Sequence, residues 1–119
     1  MAVQGNPVNF VNAVTLGVNS PNYRWLNVPT IVASRSTADP VRQNISFAGN
    51  IQVVNFIAGM IANLLSATLT NTVVYLFMNT GAGVVPLSLD NGGKIGGVAI
   101  YNLRPGQAIE FTFNGTNLS

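Results

Sequence analysis

From residue 72 onward, apolar and polar positions alternate with a period of two in short runs broken by Gly, Asn and Pro: TVVYLFMN, VVPLSL, KIGGVAIYNL and AIEFTF. Runs of this length, rich in β-branched and aromatic residues, predict strands joined by turns. In the last of them Ile109, Phe111 and Phe113 share one face, and Glu110 and Thr112 take the other, which reads as the solvent face. The turn chemistry fits: Asn91-Gly92 suits a type I′ hairpin, and Pro105-Gly106 suits a type II turn. Pro86 interrupts VVPLSL and predicts an edge strand, or one that begins after the proline.

The stretch IQVVNFIAGMIANLLSATLTN, residues 51–71, follows a different rule. It has no charged side chain, and Gln52, Asn55, Asn63, Ser66 and Thr70, with Gly59 between, recur at intervals of three and four. That spacing gathers them into one stripe of a helix and leaves Val53, Val54, Phe56, Ile57, Met60, Ile61, Leu64 and Leu65 on the remaining girth. The length approaches the roughly 20 apolar residues of a membrane span, but the polar stripe speaks for an amphipathic helix over about 51–66, with Asn50 at its N-cap. Two strands with a loop and a membrane span are the competing readings. On the helical reading, Ile57, Ile61, Leu64 and Leu65 pack on the sheet, and Phe56 and Met60 meet a symmetry-related copy.

Before this stretch, AVTLGV, YRWLNV, TIVAS and VRQNISF are short extended segments punctuated by NSPN, NVPT and TADP. Val41, Gln43, Ile45 and Phe47 share a face. The expected fold is therefore mainly β: an antiparallel β-sandwich or barrel of about seven to eight short strands with one inserted amphipathic helix. Residues 1–20, rich in Asn and small side chains, read as an extended N-terminal arm, and 21–119 as a single domain.

Composition narrows the function classes. Charged residues make up 7% of the 119-residue chain, against roughly 25% in an average soluble protein. Neutral polar residues take their place, with 16 Asn, 9 Thr, 7 Ser and 4 Gln. A net charge of +2 gives little repulsion between copies, which suits a protein packed against neighbours. The pI of about 9.5 rests on Arg24, Arg35, Arg42, Lys94 and Arg104, scattered singly with no basic run, so nucleic acid is not an expected partner. The N-terminus lacks a basic flank followed by an unbroken apolar region, so folding in the cytoplasm and no membrane partner are expected.

With neither Cys nor His, thiolate sites, the commonest metal ligand and the commonest general base are missing. Asp39 precedes a proline in a turn, Asp90 opens a Gly-rich turn and Glu110 sits in an alternating strand, so each carboxylate has a structural explanation. DNGGKIGG lacks the first glycine and the Ser or Thr of a phosphate-binding loop. No enzyme, metal or cofactor is expected. The segment NYRWLNV remains, because Tyr23, Arg24 and Trp25 are residue types enriched at interface hot spots. The alternative is that Tyr23 and Trp25 face the core of a strand and Arg24 faces water.

In its cysteine-free, charge-poor, Asn-rich β character and its extended N-terminal segment, the chain resembles the decoration, or cement, proteins of tailed-bacteriophage heads. The resemblance implies a homo-oligomer, a trimer or dimer, that clamps neighbouring major capsid proteins on the virion after assembly in the host cytoplasm. Residues 1–20 are then a reaching arm, about 65 Å long if extended. Tyr23, Arg24, Trp25, Phe56 and Met60 are the candidate interface. The competing function is a carbohydrate-binding or receptor-binding domain, with Tyr23, Trp25, Tyr75, Tyr101 and the Asn side chains as the available ligands.

Overall fold

The computed structural model describes residues 6–7, 30–33, 42–56 and 60–119. Among these residues lie nine strands: β1 (Asn6–Pro7), β2 (Thr30–Ala33), β3 (Arg42–Ile45), β4 (Val53–Phe56), β5 (Ile61–Leu64), β6 (Val74–Asn79), β7 (Val85–Leu89), β8 (Tyr101–Leu103) and β9 (Ala108–Thr112). Sheet 1 has the order β1-β9-β6-β4-β2 and sheet 2 the order β3-β5-β7-β8. The mainly β expectation holds, with corrections to its details.

The first concerns residues 51–66, whose described residues form no α-helix. They contain β4 and β5, in different sheets. Met60, Ala62 and Leu64 are buried while Ile61 and Asn63 between them are half-buried, the alternation of a strand. In β4, Val53, Val54 and Phe56 are all buried, so this strand is buried on both its faces and shows no alternation in the sequence. Two polar residues eight apart, Asn55 and Asn63, each point away from the core of its own strand, and their spacing mimics a helical stripe by coincidence.

The second correction concerns strand direction. From β2 to β7 the chain alternates between the sheets, and each strand pairs in parallel with the one two steps earlier: β2 with β4, β4 with β6, β3 with β5, and β5 with β7. Parallel neighbours cannot be joined by a tight turn; they need a long crossover. Here the crossover is a strand of the facing sheet, so the chain winds through both layers. In sheet 1 it returns to the same level at Thr30, Val53 and Leu76, which are Cα partners in series. Antiparallel pairing closes the winding, β8 on β7 and β9 on β6, and β1 adds antiparallel to β9.

The Pro105-Gly106 turn forms as expected, with Gly106 at φ 79° and Gln107 N–H donating to Arg104 O at 3.0 Å. It joins β8 to β9 and so turns the corner between sheets. At Asn91-Gly92 only the glycine has positive φ (77°), so no type I′ hairpin forms; residues 90–100 make a long connection instead. Pro86 lies within β7, which is paired on both sides.

The core between the sheets is continuous. Val54, Phe56, Tyr75, Phe77, Ile109 and Phe111 of sheet 1 meet Ile45, Ala62, Leu64, Leu87, Tyr101 and Leu103 of sheet 2. Phe77 is its hub, with ring centroids 5.9 Å from Phe47, 6.0 Å from Phe56 and 5.8 Å from Phe111. Tyr101 crosses the sheets to meet Phe111 edge-on at 5.3 Å. The other face of sheet 1 is buried as well, at Val53, Leu76, Met78 and Ala108. Glu110, the Cα partner of Leu76, is buried on that same face and does not face solvent as its alternation predicts.

The C-terminal segment NGTNLS folds back into the domain. Leu118 has no exposed surface, and Ser119 and Thr112 exchange backbone hydrogen bonds at 2.9 and 3.0 Å. Asn114 Oδ1 accepts from Thr116 N–H (2.9 Å) and Asn117 N–H (2.7 Å), and Asn117 Oδ1 accepts from Lys94 N–H (2.8 Å). Gly93 lies against the Thr116 carbonyl oxygen so closely that a Cβ there would overlap it.

Candidate functional site

Of the five candidate interface residues, Tyr23, Arg24 and Trp25 lie outside the described residues. So does the arm, residues 1–20, apart from Asn6–Pro7. Phe56 and Met60 are core residues, at 0% and 2% exposure, and offer no surface to a second copy. Their burial follows from the strand geometry, which turns both side chains inward where a helix would have left them over. Tyr75 and Tyr101 are buried too. The Tyr75 hydroxyl accepts from Thr70 N–H (2.8 Å) and that of Tyr101 from Gln107 Nε2 (2.8 Å), so neither ring presents an open stacking face.

Of the described carboxylates, Asp90 follows β7 of sheet 2 and Glu110 lies in β9 of sheet 1. Asp90 Oδ1 accepts from Ser66 N–H at 2.9 Å and caps the 3-10 turn Ser66–Thr68, whose own N-cap residue makes no side-chain capping bond. Hydrogen bonds from the Ser66 side chain and then from its backbone hold the Asp90 carboxyl below the usual carboxylate range. Glu110 is on sheet 1, and Asp39 lies outside the described residues. Among the described residues no three potential metal ligands come together. No helix there is long and apolar enough to cross a membrane.

The surface that does stand out is the outer face of sheet 2. Asn44 and Asn63 are Cα partners on the parallel strands β3 and β5, and Asn63 Nδ2 donates to Asn44 Oδ1 at 2.9 Å. Ser88 of β7 continues the row, as the Cα partner of Asn63. Beside this ladder an open groove of about 550 Å³ is lined by Arg42, Ile61, Pro86, Ser88, Ile100 and Asn102. Ile100 is 58% exposed, and Val98 on the same connection is also exposed. Arg42 is the single ionisable side chain in that lining. A faint trace of this face is present in the sequence: Asn-Ile at 44–45, Asn-Leu at 63–64 and Ser-Leu at 88–89 place a small polar residue outward and an aliphatic one inward at the same level of three strands.

A second cavity, of about 290 Å³, opens between the connection from β3 to β4 and that from β5 to β6. Phe47, Gln52, Thr68, Thr70, Val73 and Tyr75 line it, together with the turn 48–50, where Gly49 and Asn50 both have positive φ (80° and 63°).

No family model, no curated protein and no solved structure matches this chain.

Proposed function

We propose that the chain is a structural virion protein, of the kind that decorates a capsid and binds at junctions between major capsid proteins as a homo-oligomer. The observation that supports this reading best is the outer face of sheet 2. It combines a neutral amide ladder with the apolar Ile61, Pro86 and Ile100 and one arginine. Among the residues that line the groove, burial against another protein desolvates the charge of Arg42 alone. The amides retain their hydrogen-bonding capacity across the contact, and the apolar side chains add about 25 cal/mol per Å² removed from water. Arginine beside apolar contacts is the composition of an interface hot spot. Repetition of the contact over a lattice multiplies a modest single affinity.

The test is co-sedimentation of tagged protein with intact virus particles from its own source cells, compared with Ile100→Glu and Ser88→Glu. Both substitutions fall on exposed or half-exposed positions of the face and spare the core. The wild-type chain is expected to band with particles and each variant to lose at least about tenfold in occupancy, the effect of placing an unpaired charge in a contact. Wild-type protein that stays at the top of the gradient, or variants that band equally well, would overturn the reading.

A further inference from the structure

We infer that the cavity between the two loop connections is a binding site for a small, neutral, hydroxyl-rich ligand of the size and class of a monosaccharide. The site is separate from the sheet 2 face, and the inference does not rest on the virion reading.

Three features carry it. The lining holds no ionisable carboxylate, ammonium or guanidinium, so an ionic ligand would find no counter-charge. The volume, about 290 Å³, is at the low end of ligand pockets, which begin near ~300 Å³. The third feature is the set of polar atoms left over after the protein's own hydrogen bonds are made.

Tyr75 is 2% exposed, and its hydroxyl accepts from Thr70 N–H at 2.8 Å, yet the hydroxyl proton has no acceptor among the described residues. Gln52 Nε2 donates to Val74 O at 3.0 Å, which fixes the amide and leaves Oε1 without a donor. Thr70 Oγ1 is likewise uncommitted, whereas Thr68 Oγ1 is saturated, accepting from Phe47 N–H (2.9 Å) and donating to Leu65 O (2.7 Å). The residues that carry a donor, a fixed acceptor and a hydroxyl of either sense thus line the same cavity as the apolar Phe47, Val73 and Ile51. Buried polar groups are normally partnered, and a nine-tenths buried tyrosine hydroxyl with a free proton is an unfilled position. A ring bearing several hydroxyls satisfies all three groups at once and lays its C–H face on the apolar wall. Gly49 and Asn50, both in left-handed backbone conformation, are part of the lining.

The experiment is an amide chemical-shift titration of the full chain with the methyl glycosides of glucose, galactose, mannose and N-acetylglucosamine, each taken to about 100 mM to reach millimolar affinities. At least one is expected to give saturable shifts confined to residues 47–52 and 68–75. Thr70→Val, at an exposed position with no side-chain bond to lose, is expected to weaken binding about five- to tenfold with the melting curve unchanged. Tyr75→Phe is expected to weaken it further. No saturable shift with any of the four sugars, shifts centred elsewhere, or unchanged affinity in both variants would overturn the inference. Particle binding that persists while sugar binding fails would leave the sheet 2 face standing.

Discussion

Asn79 Nδ2 donates to the carbonyl oxygen of Leu103 at 2.9 Å, joining the end of β6 in one sheet to the end of β8 in the other. The same amide donates to Gly83 O (2.8 Å), and its Oδ1 accepts from Gly81 N–H (2.9 Å). The backbone of Asn79 accepts from Gly106 N–H and donates to Gln107 O. One side chain with no exposed surface therefore fixes the 80–84 turn and both sides of the corner between β8 and β9. Asn79→Asp keeps the shape but sets a carboxylate against two carbonyl oxygens. It is expected to lower unfolding free energy by about 3 kcal/mol or more, measured by urea denaturation. A loss below about 1 kcal/mol would show that the loops hold without it.

The aromatic hub gives a second expectation. Phe77 touches rings from the 46–52 connection, β4 and β9 and has no exposure. Phe77→Ala is expected to cost about 3–5 kcal/mol by lost burial and the cavity left behind. That is a large share of the roughly 5–15 kcal/mol that holds a domain together. Phe77→Leu is expected to lose clearly less in the same denaturation series.

Gly93 is required for space, since its φ is not in the left-handed region and a Cβ there would overlap the Thr116 backbone carbonyl. Because the obstacle is backbone, Gly93→Ala must push the C-terminal segment away. It is expected to destabilise by about 2–4 kcal/mol and to raise hydrogen exchange at Gly96 and Leu118. Those amides donate to Leu118 O and Lys94 O across this contact.

Asp90 supplies the pH dependence. Its carboxyl lies below the usual range because the Ser66 hydroxyl and backbone N–H favour the charged form. A lowered folded-state value means that the stability contributed by the Ser66 contact is complete at neutral pH. It is lost as pH falls from about 4 through the lower folded-state value. Asp90→Asn is expected to flatten that acidic limb of the stability curve, with little change at neutral pH because the contact is exposed and screened. Denaturant midpoints from pH 2 to pH 7 check both statements.

Legibility in the sequence varied with the local physics. β7 and β9 were readable because they keep an aliphatic or aromatic residue inward at every second position, as at Leu87, Leu89, Ile109 and Phe111, whereas the run KIGGVAIYNL is a strand only at Tyr101–Leu103. The type II turn at Pro105-Gly106 was readable because each residue's φ preference is intrinsic. β4 was not, since Val53 and Val54 are buried on opposite faces and a doubly buried strand has no period to display. Nor was the role of the asparagines. Asn44, Asn63, Asn79, Asn91, Asn114 and Asn117 all bond specific backbone or side-chain partners, so part of the neutral polarity that reads as surface hydration also ties chain segments together, at the surface except for the buried Asn79.

The sequence by itself determined that this is a mainly β chain of short strands, because periodicity and turn preference are local properties of a few adjacent residues. It also determined a surface poor in charge. The tertiary structure alone decided that the strands alternate between two sheets and pair in parallel. Those partners lie about two strands apart in the chain, and no local preference encodes which sheet a strand joins. It decided too that Phe56 and Met60 belong to the core. Whether an apolar side chain is left over depends on how many faces are covered, and that is a property of the assembled layers.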